Sequence, residues 1–147
     1  MPDIKREGRA VWKGGLKDGT GTISTPSGFL NNLPYSVPSR FESAKGSNPE
    51  ELIAAAHASC FSMMLSKILG DQQKTAQQIS TSATLTMRMD ASGPKITGIH
   101  LVTEAKVPGM DVAAFKKAAE EAKEKCPVSN LLRPGLESLT LEARLAS

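Results

Sequence analysis

The longest hydrophobic segment of the chain lies near its middle and predicts one long helix over residues 48–70. From Leu52 to Ser66 this segment contains no Asp, Glu, Lys or Arg. Asn48 is a good N-cap, and Pro49 suits the first turn of the helix. Glu51 stands where a capping-box partner would lie, and Gly70 suits the end of the helix. A helix that is apolar on nearly every face has to be covered by protein on nearly every side.

Shorter segments either alternate between apolar and polar positions, as strands do, or repeat with a helical period. The predicted strands are 9–13, 21–25 and 35–42, which form an antiparallel meander, followed by 81–89, 96–107 and 138–145. In the pair joined by a turn at 90–94, one face is expected to carry Ala83, Leu85, Met87 and Met89, with Ile99, Leu101, Thr103, Ala105 and Val107. An amphipathic helix over 112–125, capped by Asp111, completes the pattern. This order predicts an α+β fold in a single domain over residues 1–147, with antiparallel sheet around the long helix.

A single domain of this size has little material with which to cover a helix that is apolar all round. One sheet covers one side of the helix, and the other side needs a different partner. The simplest partner is the same helix of a second copy, so we expect a homodimer with the two long helices near its centre.

Composition and charge exclude several classes of protein. The 18 Lys and Arg are spread among 15 Asp and Glu without runs of like charge, and aromatic residues make up 4% of the chain. A nucleic-acid surface would need a basic stripe, often with stacking rings. The N-terminal residues lack the apolar core of a signal peptide, and the charge-free stretch is shorter than the roughly 20 residues that span a bilayer. We therefore expect a cytoplasmic protein that binds neither nucleic acid nor membrane, in which a stable disulfide is unexpected.

The chain has two cysteines, Cys60 and Cys126, without the clustered Cys or His ligands of a zinc site. Cys60 is either a small buried hydrophobe or a reactive thiol placed where water is scarce. His57 lies on the same helical face, which suggests a Cys–His hydrolase or acyltransferase; the alternative is a core histidine bonded to backbone.

Cys126 is expected to be the more exposed thiol, and a short helix at 128–133 would favour its thiolate. If both cysteines are structural, the remaining interpretation is a non-catalytic dimeric binding protein. His100 is expected to be exposed.

Several segments resemble the OsmC/Ohr family of thiol-dependent peroxidases, and most closely its OsmC branch. They are AVWKGGLKDGTGTISTPSG, SRFE, NPEELIAAAHASCFSMML, VPGMD and KCPVSN, which extend over nearly the whole chain. The resemblance implies that Cys60 is the peroxidatic cysteine, that Cys126 is the resolving cysteine, and that Arg40 and Glu50 complete the site. The Ohr branch carries its arginine in the first glycine-rich turn, where this chain has only lysines, Lys13 and Lys17. The role therefore falls to Arg40, with Arg9 as the weaker candidate.

The chemistry that the resemblance implies suits these residue types. The nucleophile must be a thiolate, which an apolar site disfavours and a guanidinium restores. Glu50 would hold Arg40 in a bidentate pair. An apolar surround from Leu52, Phe61, Met63 and Met64 favours organic hydroperoxides over hydrogen peroxide. No metal, haem or flavin is required, and the family suggests a small dithiol or a lipoylated protein as reductant.

Helix geometry suggests that the site is shared between subunits. Glu50 and Cys60 are ten residues apart on the predicted helix, which places them roughly 15 Å apart along its axis and about 80° apart around it. Arg40 could hardly touch both within one straight helix. Two such helices that cross antiparallel in a dimer would bring Glu50 of one chain toward Cys60 of the other.

Overall fold

The computed structural model describes residues 1–147 and divides them into two units, Met1–Leu52 and Ile53–Ser147. The expectation of a single domain stays a prediction. The helices and strands, in chain order, are β1 (Arg9–Lys13), β2 (Thr20–Ser24), β3 (Leu33–Tyr35), α1 (Val37–Phe41), α2 (Pro49–Asp71), β4 (Gln78–Asp90), β5 (Gly93–Lys106), α3 (Val112–Lys125), α4 (Pro127–Leu132) and β6 (Ser138–Leu145). A 3-10 turn at Arg133–Gly135 separates α4 from β6.

The first unit contains the predicted antiparallel meander, with strand order β1-β2-β3. Gly21 pairs with Trp12 on one side and Tyr35 on the other. The two aromatic rings lie 5.5 Å apart, and a Cβ at Gly21 would overlap the ring of Tyr35. The glycine therefore lets two of the few aromatic side chains pack over the middle strand.

The predicted strand over 35–42 is wrong, because most of this segment forms the short helix α1. Ser36 caps the helix: its hydroxyl accepts from the Ser39 N–H, and the Ser39 hydroxyl accepts from the Ser36 N–H at 2.8 Å. This reciprocal cap and a proline in the first turn favour a helix over the strand that alternation suggested. Arg40 consequently lies in the last turn of α1 rather than on a strand.

The second unit is built on a sheet with strand order β4-β5-β6. The hairpin of β4 and β5 is antiparallel, as predicted, but β6 lies parallel to β5. The expectation of a wholly antiparallel sheet is therefore wrong. Helices α3 and α4 occupy the connection between β5 and β6, and a helical crossover of this kind returns the chain to the same end of the sheet.

The core of the second unit lies between the inner face of this sheet, α2 and α3. Its fully or almost fully buried side chains include Phe61, Leu65, Leu69, Ile99, Leu101, Ala105, Phe115, Ala119 and Ala122. Burying each large side chain stabilises the fold by about 1.5–3 kcal/mol. The predicted inner face of β5 is confirmed, whereas Met89, next to the hairpin turn and opposite Pro94, is 62% exposed.

The ends of α2 differ in detail from the prediction. Asn48 is the N-cap, because its side-chain oxygen accepts from the Glu51 N–H at 2.8 Å. The Glu51 carboxylate instead accepts a hydrogen bond from Ser47, so there is no reciprocal capping box. The helix continues past Gly70 to Asp71, and Gln73 takes the left-handed conformation, with φ of 57°.

Helix α2 is long and apolar enough to cross a membrane by length and composition. Phe61, Leu65 and Leu69 nevertheless lie in the core, which makes α2 the core helix of a soluble fold. The opposite face is uncovered within one chain, where Ala55 is exposed and Met63 is 76% exposed. That a second chain covers this face, so that the helix is surrounded on nearly every side, stays a prediction.

Candidate active site

The two cysteines lie side by side in the second unit, although 66 residues separate them along the chain. Cys60 lies in the middle of α2, and Cys126 lies at the junction of α3 and α4, where it is the N-cap residue of α4. Both are free thiols, and their Sγ atoms are 3.3 Å apart. A disulfide requires about 2.05 Å, so an oxidant could join the two sulfurs with only a small movement.

The prediction that Cys126 is the more exposed thiol is wrong. Cys126 is fully buried and joins the core, whereas Cys60 is only partly buried. The chain turns at Pro127, directly after the amphipathic helix α3, and the Cys126 side chain lies in the core together with the buried face of that helix. A reagent that comes from solvent would therefore meet Cys60 first.

The surroundings of Cys60 within one chain do not favour its thiolate. Burial raises the pKa of the Cys60 thiol, the backbone N–H of Val128 lowers it by donating a hydrogen bond, and the neighbouring Cys126 raises it again, so that the pKa stays above its ordinary value. The predicted short helix is confirmed as α4. Its first backbone N–H, that of Val128, donates to the sulfur of Cys60 and not to that of Cys126. A nearby positive charge would be needed to activate the thiol.

Arg40 and Glu50 form a close ion pair in the first unit. The Arg40 Nε donates to both Glu50 carboxylate oxygens at 3.1 Å, and Nη2 donates to Oε1 at 2.6 Å. Burial alone would raise the pKa of Glu50, but the Arg40 hydrogen bond, the first-turn amide and the Arg40 charge together hold it below its usual value. The Phe41 ring lies 5.1 Å from the guanidinium carbon. The predicted bidentate pair is therefore present, and Nη1 of Arg40 has no hydrogen-bond partner within the chain.

A cleft of about 220 Å³ adjoins Arg40 in the first unit. The side chains that line it are mostly apolar: Trp12, Leu16, Tyr35, Ser36, Val37, Arg40 and Phe41. Sequence reasoning missed this cleft, because its walls come from β1, β3 and α1. Of the residues expected to form an apolar surround, Phe61 is fully buried and so cannot contact a substrate.

His57 is a fully buried side chain on α2, as the core-histidine alternative predicts. Its partner, however, is not backbone: Nε2 lies 2.7 Å from the hydroxyl of Ser129 on α4, which is also fully buried. The Nδ1 atom has no hydrogen-bond partner. No hydrogen bond joins His57 to Cys60, so nothing in this geometry supports a Cys–His hydrolase. The other histidine, His100, is exposed as predicted.

The buried imidazole predicts a pH-dependent stability. Burial lowers the pKa of His57 below its ordinary value of 6.5. The unfolded chain therefore binds this proton more readily, and the free energy of unfolding should fall as the pH drops below about 6.5, by at most about 1.4 kcal/mol per pH unit. Urea unfolding at pH 7 and pH 5 measures the effect. His57→Gln removes the titration, and an equal acid loss in that variant would contradict the assignment.

A family model, sequence relatives and solved structures all indicate the same family. The family model described as OsmC-like protein matches residues 42–138. Peroxiredoxin OsmC of Escherichia coli (strain K12) is 46% identical over 144 residues, which cover 98% of this chain and 99% of that protein. Organic hydroperoxide resistance protein-like 1 of Staphylococcus saprophyticus is 32% identical over 105 residues, or 68% of this chain and 71% of the relative.

A solved structure agrees with these sequence matches. The crystal structure of the organic hydroperoxide resistance protein OhrB of Bacillus subtilis superposes with a TM-score of 0.73 at 25% identity, over 94% of this chain and 98% of that one. The chain therefore belongs to the OsmC-like protein family.

Proposed function

We propose that this protein is a thiol-dependent peroxidase that reduces organic hydroperoxides to alcohols through Cys60 and Cys126. A peroxidase role in oxidative-stress defence follows from family membership and from relatives named peroxiredoxin and organic hydroperoxide resistance protein. One observation carries the assignment of the residues: two free thiols lie 3.3 Å apart, and the outer one is partly exposed.

The oxidative half of the reaction consumes the two thiols and the hydroperoxide, and an external dithiol then reduces the disulfide. The Cys60 thiolate attacks the terminal peroxide oxygen, so that an S–O bond forms, the O–O bond breaks, and the alkoxide takes a proton to leave as an alcohol. Cys126 then attacks the Cys60 sulfenic acid: an S–S bond forms, the S–O bond breaks, and water leaves. Capture as a disulfide keeps Cys60 on the reversible part of the oxidation ladder.

Arg40 supplies the charge that Cys60 lacks. Its guanidinium stays protonated at any working pH and would lower the Cys60 pKa against the effect of burial. The same group can stabilise the negative charge that develops on the leaving oxygen. Because Glu50 occupies Nε and Nη2, the unpartnered Nη1 is left to face thiolate and substrate.

A homodimer would complete both the fold and the site. The first unit buries no large apolar side chain, and Leu16 and Phe29 are 75% and 94% exposed. So small a unit is not expected to be stable without a covering surface. The exposed face of α2 also needs a covering surface. Because Glu50 and Cys60 are ten positions apart on this helix, we infer that the Arg40–Glu50 pair of one protomer serves Cys60 of its partner.

The burial of the sulfurs favours a particular kind of reductant. Cys126 is fully buried, so a reducing thiol has to attack the sulfur of Cys60 in the disulfide. A small dithiol or the extended arm of a lipoylated protein reaches a recessed sulfur more readily than a folded protein does. The cytoplasm, where such dithiols are kept reduced, is the proposed compartment.

Mass spectrometry after one equivalent of an alkyl hydroperoxide tests the proposal. We expect a disulfide between Cys60 and Cys126 within one chain, because their sulfurs are already 3.3 Å apart. In Cys126→Ser, Cys60 should stop at sulfenic acid and pass to sulfinic acid as peroxide is raised. Both thiols still free after stoichiometric hydroperoxide would exclude this mechanism.

A further inference from the structure

A second pair of residues flanks the two cysteines along the chain. His57 lies three residues before Cys60 on α2, and Ser129 lies three residues after Cys126, on α4. Their side chains are both fully buried and meet at 2.7 Å. A polar contact thus joins α2 and α4 about one helical turn away from the two reacting sulfur atoms.

This contact is the one hydrogen bond that joins a side chain of α2 to a side chain of α4, beside the contact of the two thiols and the Val128 N–H that donates to Cys60. Helix α4 is only six residues long, and its N-cap Cys126 makes no side-chain capping bond. Loss of either partner would leave a buried polar group unpaired, which makes the contact costly to break. A short helix that is fastened at this point has little freedom to carry Cys126 away from Cys60.

We propose that His57 and Ser129 are positioning residues for the resolving step: their hydrogen bond fastens α4 to α2 and so keeps Cys126 within attacking distance of the Cys60 sulfenic acid. The inference rests on the proposed roles of the two cysteines. Attack requires sulfur atoms at roughly 3–3.5 Å with aligned orbitals, and the present separation of 3.3 Å already meets that distance. Neither residue gives up or takes an atom in the step.

The two chemical steps should respond differently to loss of this contact. Attack of Cys60 on the hydroperoxide does not use Cys126, whereas formation of the S–S bond depends on its position. Ser129→Ala removes a single oxygen and should leave the rate of Cys60 oxidation within about twofold of wild type. Resolution should slow by about 10- to 100-fold, the cost expected for displacing a reacting group by up to about 1 Å.

The experiment is a single turnover with an alkyl hydroperoxide. Dimedone trapping reports the Cys60 sulfenic acid, and mass spectrometry follows the disulfide and the sulfinic acid. Ser129→Ala and His57→Leu should both accumulate trapped sulfenic acid and reach sulfinic acid at lower peroxide, and the double variant should be no worse than either single one. His57→Gln, whose amide can still bond the Ser129 hydroxyl, should resolve at close to the wild-type rate.

Ser62→Ala is the matched control. Ser62 is a partly buried hydroxyl on α2, two residues from Cys60, but it bonds Thr81 at 2.8 Å rather than α4. Its loss should leave resolution unchanged. Wild-type resolution rates in Ser129→Ala and His57→Leu would overturn the inference, as would an equal slowing of both steps. Absence of any disulfide in the wild-type protein would instead refute the proposed roles of the cysteines.

Discussion

Arg40→Ala is expected to slow hydroperoxide reduction by about 10²–10³-fold while leaving the fold intact, because one preorganised charge-stabilising donor is lost. The Arg40 side chain is 37% exposed, so its ion pair contributes at most about 1 kcal/mol to the free energy of unfolding. Without the guanidinium, burial, the Val128 N–H and Cys126 are left to set the pKa of Cys60, which should rise above its wild-type value. Stopped-flow kinetics gives the rate constant, and the pH dependence of Cys60 alkylation gives the pKa.

Two further variants test whether the effect belongs to this guanidinium. Arg40→Lys should also be impaired, because an ammonium cannot bond Glu50 in the same planar fashion and leave a nitrogen for substrate. Arg9→Ala removes an equal charge from an exposed strand where Arg9 pairs with Glu7, and it should react at the wild-type rate. If Arg40→Ala keeps the wild-type rate constant and Arg9→Ala loses it, Arg9 holds the role instead.

Mixing two inactive variants should restore activity if the site is shared between protomers. Cys60→Ser lacks the nucleophile, and Arg40→Ala lacks the activating charge. In a mixed dimer, Cys60 of the second chain would meet Arg40 of the first, which makes one of the two sites complete. Unfolding and refolding an equal mixture should give about a quarter of the wild-type activity, because about half of the C2 dimers are mixed and each carries one complete site.

A parallel mixture distinguishes shared from unshared parts of the site. Cys60→Ser combined with Cys126→Ser should not restore disulfide formation, because the two sulfurs that react already lie 3.3 Å apart within one chain. Native mass spectrometry confirms that mixed dimers have formed. If those dimers form from Cys60→Ser and Arg40→Ala and remain inactive, each chain builds its own site, and the shared-site inference is wrong.

Local signals in the sequence determined most of the secondary structure. Strand β6 and helix α3 begin and end where the apolar alternation and the Asp111 cap predict. The start of α2 follows from Asn48, whose side chain satisfies a first-turn amide. These features depend on contacts between residues close in the chain, and such contacts can be read from spacing.

The resemblance to known peroxidases also selected the chemistry from sequence, since it named Cys60, Cys126, Arg40 and Glu50. The structure brings these residues together as two pairs, Cys60 with Cys126 and Arg40 with Glu50. No periodicity could have given their distances, because each pair joins segments that only the folded chain brings into contact.

The features that the sequence did not reveal depend on long-range packing. The parallel pairing of β6 depends on where α3 and α4 return the chain, and the burial of Cys126 depends on the turn at Pro127. The contact of His57 with Ser129 spans 72 residues. Alternation and capping describe neighbours within about one turn, whereas these features depend on which distant surfaces meet, and only the tertiary structure decides that.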